Sequence, residues 1–135
     1  MTTHTVNANE AVNIIKSGDR VFVQGSAATP LTLLKALEQK ASALKNIEIV
    51  SVSVLGDIGI NKPEYSESFY FNSLFVSEPV RKNVNGINGA YIPVFLSEIH
   101  LLFEKNILPL DVALIHVSPP DKHGFCSLGV SVDVA

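Results

Sequence analysis

The stretch that decides the fold is VFVQGSAATPLTLLKALEQKASAL, residues 21–44. Its first four residues, Val21 to Gln24, form a short apolar run bounded by turn residues, which is typical of a buried strand. The small residues Gly25 to Ala28 predict a tight loop. Thr29 is a favoured N-cap, proline follows it at the first helical position, and leucines and alanines then recur on one helical face. Strand, loop and helix together predict a βα unit.

Similar patterns recur along the rest of the chain. We predict short helices near 7–16 and over 97–105, the first capped by Asn7, and a helical turn at 79–84. Apolar alternation or apolar runs between turn residues predict further strands at 47–55, 69–76, 90–94, 111–117 and 125–132. Pro93 restricts its strand to a sheet edge or marks a strand end, whereas 111–117 is the clearest buried strand. This order of elements predicts one α/β domain over 1–135, with a mainly parallel sheet flanked by helices.

Composition narrows the functional class. The 135 residues are 47% hydrophobic and 17% charged, which excludes disorder, and ten basic against thirteen acidic residues do not favour nucleic-acid binding. No apolar run reaches the roughly 20 residues of a membrane span, so we expect no membrane partner. The single cysteine, Cys126, fits a reducing cytoplasm. The chain ends within the strand-like run at 128–135, so we expect a piece of a longer protein.

Three loops are predicted at the carboxyl ends of strands, where parallel sheets bind their ligands: 25–30, 56–63 and 118–124. In the first, small side chains would let a ligand approach the backbone, and unpaired amides before the helix would favour an anion or an oxyanion. A plain strand-to-helix turn remains the alternative. The glycine patterns of phosphate-binding and dinucleotide-binding loops are absent.

Other polar residues are weaker candidates. His123 with Asp121 could be an acid/base pair, although an aspartate that bonds its own turn is commoner. His116 is predicted inside a buried strand, and Cys126 is predicted to be a small buried residue. The four histidines lack metal-ligand spacing, so no metal site is expected.

Several stretches together resemble the N-terminal domain of the acetyl-CoA hydrolase/transferase family, which includes 4-hydroxybutyrate and acetate-dependent CoA-transferases. The most specific is the run SPPD, one residue, then HGFCSLG, at 118–129. The matching stretches are EAVNIIKSGDRVFVQGSAATP at 10–30, LKNIEIV at 44–50, NSLFV at 72–76, RKNVNGINGAYIPVFLSE at 81–98 and LPLDVALIHVSPPDKHGFCSLGVSVD at 108–133. They cover nearly the whole chain in order.

The resemblance implies a CoA-transferase-like α/β fold, of the type shared with ribose-phosphate isomerases. It also implies transfer of CoA between an acyl-CoA thioester and a short-chain carboxylate such as acetate. In the family a glutamate attacks the thioester carbonyl, so that a mixed anhydride and then a glutamyl-CoA thioester form. The thioester is a substrate, and no further cofactor is expected. The resemblance also suggests a homo-oligomeric full-length enzyme.

Family chains are several times longer, and their nucleophilic glutamate lies in a second domain without counterpart here. None of the glutamates in this sequence matches that motif, so we assign no catalytic residue and expect the isolated chain to be inactive. The loop residues Gly25, Ser26 and Ala27 are expected to face the substrate cleft, and Asn72 and Ser73 are further candidates for substrate binding.

Three alternatives stay open. The chain could belong to an acetyl-CoA hydrolase, or it could be a non-catalytic binding or assembly module of the same fold. A related sugar-phosphate isomerase would need acid/base carboxylates at strand ends, for which Asp57 and Asp121 are the candidates.

Overall fold

The computed structural model describes residues 5–135. Its centre is a five-stranded parallel sheet with the strand order β4-β3-β2-β1-β5. The strands are β1 (Arg20–Val23), β2 (Ile47–Ser51), β3 (Phe69–Ser73), β4 (Gly89–Tyr91) and β5 (Val112–Leu114). The helices are α1 (Ala8–Ala11), α2 (Leu31–Gln39), α3 (Arg81–Val84) and α4 (Ile99–Glu104). The predicted α/β fold with its parallel sheet is confirmed.

Side chains alternate between two apolar layers, one on each face of the sheet. Val21 and Val23 of β1 belong to the larger cluster, which also contains Leu34 and Leu37 of α2. Phe22, between those two valines, points to the other face and packs with Ile99 of α4. Because adjacent strand residues point to opposite faces, the continuously apolar part of β1, residues 21–23, is buried on both sides.

One edge of the sheet agrees with the sequence prediction and the other does not. β4 is a short edge strand, as Pro93 indicated. The strand predicted at 111–117 is present as β5, but its predicted burial is wrong, because β5 has only three residues and forms the opposite edge of the sheet. His116 and Cys126 are exposed rather than buried, and residues 125–132 contain turns instead of the predicted strand. An edge strand has a partner on one side only, so an apolar run there is not enclosed as it is in β1.

One of the two predicted helix caps is confirmed and the other is wrong. Asn7 caps α1 as predicted, since its Oδ1 accepts the N–H of Glu10 at 2.9 Å. Thr29 does not cap α2, which begins at Leu31 after a 3₁₀ turn over Ser26–Ala28. The Thr29 hydroxyl instead donates to the carbonyl of Ser26 at 2.8 Å and accepts the N–H of Leu55 at 3.0 Å. The side chain therefore joins the first loop to the segment after β2.

Candidate functional site

A cavity of about 520 Å³ lies where four of the parallel strands end. Ser26 follows β1, Ser53 follows β2, Phe75 follows β3, and Tyr91 is the last residue of β4. The other lining residues are Val52, Leu74, Val94, Leu96, Ile99, Asp133 and Val134. The position agrees with the general rule for ligand sites in parallel sheets.

The polar lining of the cavity is gathered on one side. Ser26 donates its N–H to the carbonyl of Ser53, and the neighbouring N–H of Gly25 donates to Asp133 Oδ2 at 2.9 Å. Apart from Tyr91, the other lining residues are apolar. A site with a polar corner and an apolar remainder suits a small molecule that carries both a charged or polar group and a hydrocarbon part.

Every backbone N–H from Gly25 to Thr29 has a protein acceptor. Besides the two bonds above, Ala27 donates to Ser131 Oγ at 3.2 Å, Ala28 to the carbonyl of Gly25 at 3.1 Å, and Thr29 to the carbonyl of Ser26 at 3.2 Å. The expectation of unpaired amides in this loop is therefore wrong. The amides are paired because the segment at 131–133 folds back across the loop in the tertiary structure and supplies two of the acceptors.

Glycine is required at position 25 because other atoms approach its Cα closely. Its backbone angle does not require glycine, since a φ of −107° is open to any residue. A Cβ atom there would lie 2.5 Å from the carbonyl oxygen of Ser53 and 2.9 Å from Asp133 Oδ2. The left-handed residue of the loop is Ser26, with a φ of 53°. A non-glycine residue in this region is uncommon and marks a locally strained backbone.

The structure separates the five residues expected at the substrate. Ser26 lines the main cavity, and Gly25 lies directly beside it through its bond to Asp133. Ala27 lines a second, smaller cavity of about 350 Å³ together with His116 and residues of the 117–130 segment. Asn72 and Ser73 are not among the residues that line either cavity.

Asn72 has a clear local partner within the sheet. Its Nδ2 donates to the carboxylate of Glu48 on the adjacent strand, and Glu48 also accepts the Nε–H of Arg20 at 2.7 Å. Arg20, Glu48 and Asn72 thus form a polar row across β1, β2 and β3. Ser73 points to the other face, is fully buried, and has no partner for its hydroxyl among the described residues.

Asp133 is the site residue that sequence reasoning missed. It is 108 positions from Gly25 in the chain, and no spacing rule connects the two residues. Burial raises the pKa of its carboxyl above the ordinary value for aspartate, and the hydrogen bond from the Gly25 N–H opposes this rise in pKa.

The proline-rich turn at 118–124 matches its structural prediction. Asp121 Oδ1 accepts the N–H of His123 at 2.8 Å and that of Phe125 at 2.9 Å, and Gly124 has a left-handed φ of 86°. The His123 side chain is exposed and lines neither of the two cavities above. Asp57 accepts the N–H of Gly59 in its own loop. Asp57 and Asp121 therefore do not meet at the cavity as an isomerase pair.

Within residues 5–135, no group of three or more histidine, cysteine or acidic side chains is placed to hold a metal ion. The helices of this described part are too short to cross a membrane.

Comparison with known proteins identifies the family to which this chain is similar. The model of the acetyl-CoA hydrolase/transferase N-terminal domain matches residues 2–135. A succinyl-CoA:acetate/propanoyl-CoA:succinate CoA transferase from Fasciola hepatica is 44% identical over 130 residues, which are 95% of this chain and 27% of that protein. The 4-hydroxybutyrate coenzyme A transferase from Clostridium kluyveri is 38% identical, over 95% of this chain and 30% of that protein. The chain thus spans less than a third of the length of these relatives.

Solved structures agree with the sequence matches. RipA from Yersinia pestis superimposes with a TM-score of 0.81 at 28% identity, over 93% of this chain and 31% of that one. A 4-hydroxybutyrate CoA-transferase from Porphyromonas gingivalis gives a TM-score of 0.73 at 28% identity, over 93% and 28% of the two chains. The sheet, its cavity and these matches lead to one conclusion: the chain belongs to the family of acetyl-CoA hydrolase/transferase N-terminal domains.

Proposed function

We propose that this chain is the N-terminal part of a CoA-transferase that moves CoA between an acyl-CoA thioester and a short-chain carboxylate. The observation that carries the proposal is the cavity at the strand ends, which has a polar corner at Ser26, Ser53 and Asp133 and an otherwise mainly apolar wall. The polar corner suits a carboxylate or thioester group, and the apolar wall suits a short hydrocarbon chain. The matched relatives whose names state an activity are CoA-transferases, which supports the same reaction class.

The role of this part is substrate positioning rather than covalent chemistry. Its cavity lining includes serine, aspartate, tyrosine and apolar residues, and it includes no glutamate. We therefore place the nucleophilic glutamate of the glutamyl-CoA route in a part of the protein outside this chain. The cavity wall would hold the acyl group and limit the access of water, which would otherwise hydrolyse an acyl-glutamyl anhydride.

The test is CoA exchange by the complete gene product. Purified protein is incubated with acetyl-CoA and a series of carboxylates of increasing length, and the acyl-CoA products are separated and quantified. We expect new acyl-CoA to form in proportion to acetyl-CoA consumed, and we expect residues 1–135 alone to give none. If free CoA is released at the same rate without a carboxylate acceptor, the protein is a hydrolase.

The same preparation tests the non-catalytic alternative. A native gene product that ends at Ala135 and exchanges no CoA would support a binding or assembly module. Gel filtration with mass measurement gives the length and the oligomeric state, for which we propose a homo-oligomer.

A further inference from the structure

The Gly25 N–H already has an anionic partner in this structure. It donates to Asp133 Oδ2 at 2.9 Å, at the polar corner of the main cavity, which Asp133 itself lines. This amide belongs to the loop after β1, six residues before the start of α2 at Leu31. The carboxylate therefore occupies a position on the cavity wall that a ligand oxygen would otherwise be able to use.

The loop also has hydrogen bonds that do not involve Asp133. The Ser26 N–H is bonded to Ser53, and the Thr29 hydroxyl bridges the carbonyl of Ser26 and the N–H of Leu55. Two further bonds close the 3₁₀ turn within the loop. None of these bonds includes the Asp133 carboxylate, so we expect them to remain when that carboxylate leaves the Gly25 amide.

Asp133 is weakly held for a partly buried carboxylate. Its side chain accepts one hydrogen bond, from Gly25, and it forms no ion pair with the basic residues in the described part of the chain. Burial raises the pKa of this carboxyl, which means that the charged form is poorly solvated where it lies. A carboxylate held by a single hydrogen bond has one contact for another acceptor of similar chemistry to replace.

We propose that Asp133 is a displaceable cap on the Gly25 amide, and that a carboxylate or acyl oxygen of the substrate takes its place when substrate binds. This inference rests on the proposed function, since it assumes that the cavity receives an acyl or carboxylate group. The cap competes with the substrate for one N–H, so Asp133 sets the apparent affinity for the carboxylate.

Two variants of the complete gene product separate capping from charge. Asp133→Ala removes both the charge and the capping oxygen, whereas Asp133→Asn removes the charge and keeps an oxygen that can accept the Gly25 N–H. We expect Asp133→Ala to lower KM for acetate about three- to tenfold, the factor that corresponds to one hydrogen bond of ordinary net strength. We expect Asp133→Asn to stay closer to wild type, and kcat to change less than KM in both variants.

Asp19→Asn is the matched control, because Asp19 precedes β1 at the opposite end of the sheet and, within residues 5–135, its carboxylate bonds only the N–H of Lys16. It removes one negative charge far from the cavity and should leave KM unchanged. Equal effects of the alanine and asparagine variants would overturn the cap in favour of simple charge repulsion. A higher KM or a large loss of kcat in Asp133→Ala would overturn it in favour of a role in holding the loop.

NMR of the Gly25 amide measures acetate binding directly and does not depend on turnover. Labelling the glutamine carbonyl carbon and glycine nitrogen selects Gln–Gly pairs, and Gln24–Gly25 is the one such pair in this sequence. A Gln24→Leu variant, which loses this signal, identifies it in the complete gene product. The Gly25 resonance should respond to sodium acetate at lower concentration in Asp133→Ala than in wild type. If the Gly25 resonance of Asp133→Ala responds at lower acetate concentration but the protein exchanges no CoA, the proposed function is refuted and the cap is supported. If wild type and Asp133→Ala respond at the same acetate concentration, the cap is refuted.

Discussion

The Oε1 atom of Gln24 accepts a hydrogen bond of 2.7 Å from the backbone N–H of His116, 92 residues later in the chain. The same side chain donates through Nε2 to the carbonyl of Ser131 at 2.9 Å. Gln24 is fully buried, and through these two bonds its amide group joins the end of β1 to two distant segments. These contacts hold the 131–133 segment across the first loop, where Ser131 and Asp133 bond the amides of Ala27 and Gly25.

Replacing Gln24 by leucine should lower the free energy of unfolding by about 1–3 kcal/mol, because two backbone groups lose their partner. The measurement is urea unfolding of this chain followed by circular dichroism. Gln39→Leu is the control, since Gln39 is exposed at the end of α2 and its replacement should cost much less. Equal unfolding midpoints for the two variants would show that the Gln24 contacts add no stability.

Gly25→Ala tests the close approach at the cavity. The new Cβ would lie 2.5 Å from the Ser53 carbonyl oxygen, so the backbone must shift, and we expect a loss of about 1–3 kcal/mol in unfolding free energy. We also expect lower turnover in the complete gene product, because Ser26 would move with its neighbour. A glycine that only faced the substrate cleft would affect turnover more than stability when replaced. The close contact with Ser53 predicts that both turnover and stability fall.

Gly18→Ala is the comparison for that variant. Gly18 has open space around it but a φ of 90°, so its replacement measures the cost of backbone strain alone, about 1 kcal/mol. Normal kinetics and normal stability in Gly25→Ala would refute the steric argument.

Asn72 and Ser26 should behave differently, although both were expected near the substrate. Asn72→Ala removes the hydrogen bond to Glu48 and should cost about 0.5–1.5 kcal/mol of stability, with KM unchanged. Ser26→Ala keeps the loop but changes the cavity wall, and should alter KM for the carboxylate by about threefold or more. Stability is measured by thermal unfolding and KM by CoA exchange. A raised KM in Asn72→Ala would return that residue to the substrate site.

The turn at 118–124 should be structural. Asp121→Ala removes the acceptor of two backbone amides, and we expect thermal stability to fall by about 1 kcal/mol. His123→Ala should leave the pH dependence of turnover unchanged, because the exposed imidazole lies at neither cavity. Loss of an ionisation from the rate profile of the histidine variant would make this turn part of the catalytic machinery.

The raised pKa of Asp133 predicts a pH dependence of stability with a definite sign. In the window that begins near the ordinary aspartate pKa and extends above it, the folded chain keeps a proton that the unfolded chain has lost. The contribution of this group is therefore present below that window and is lost as pH rises through it. Asparagine does not titrate, so as pH is raised from about 3 to 7 the unfolding free energy of Asp133→Asn should fall less than that of wild type. Identical slopes in urea titrations would contradict the prediction.

Local patterns determined most of the architecture. The apolar run at 21–24 followed by small residues and a leucine-rich helix is sufficient to predict the first βα unit, because strand and helix periodicities are properties of neighbouring residues. The Asn7 cap and the Asp121 turn were also predictable, since each is a hydrogen bond between residues two to four positions apart. The long run at 118–129 carried the family resemblance that the matches later confirmed.

The tertiary structure alone decided which groups meet. The sequence pointed to the loop at Gly25, yet three of its five amides bond acceptors on residues 53, 131 and 133, which no local spacing rule relates to the loop. The burial of residues 111–117 could not be predicted from the sequence either, because an apolar strand has the same sequence pattern at the centre and at the edge of a sheet. Contacts between residues far apart in the chain decide which strands are neighbours and where the 131–133 segment lies. These contacts placed Asp133, not Asn72, at the cavity.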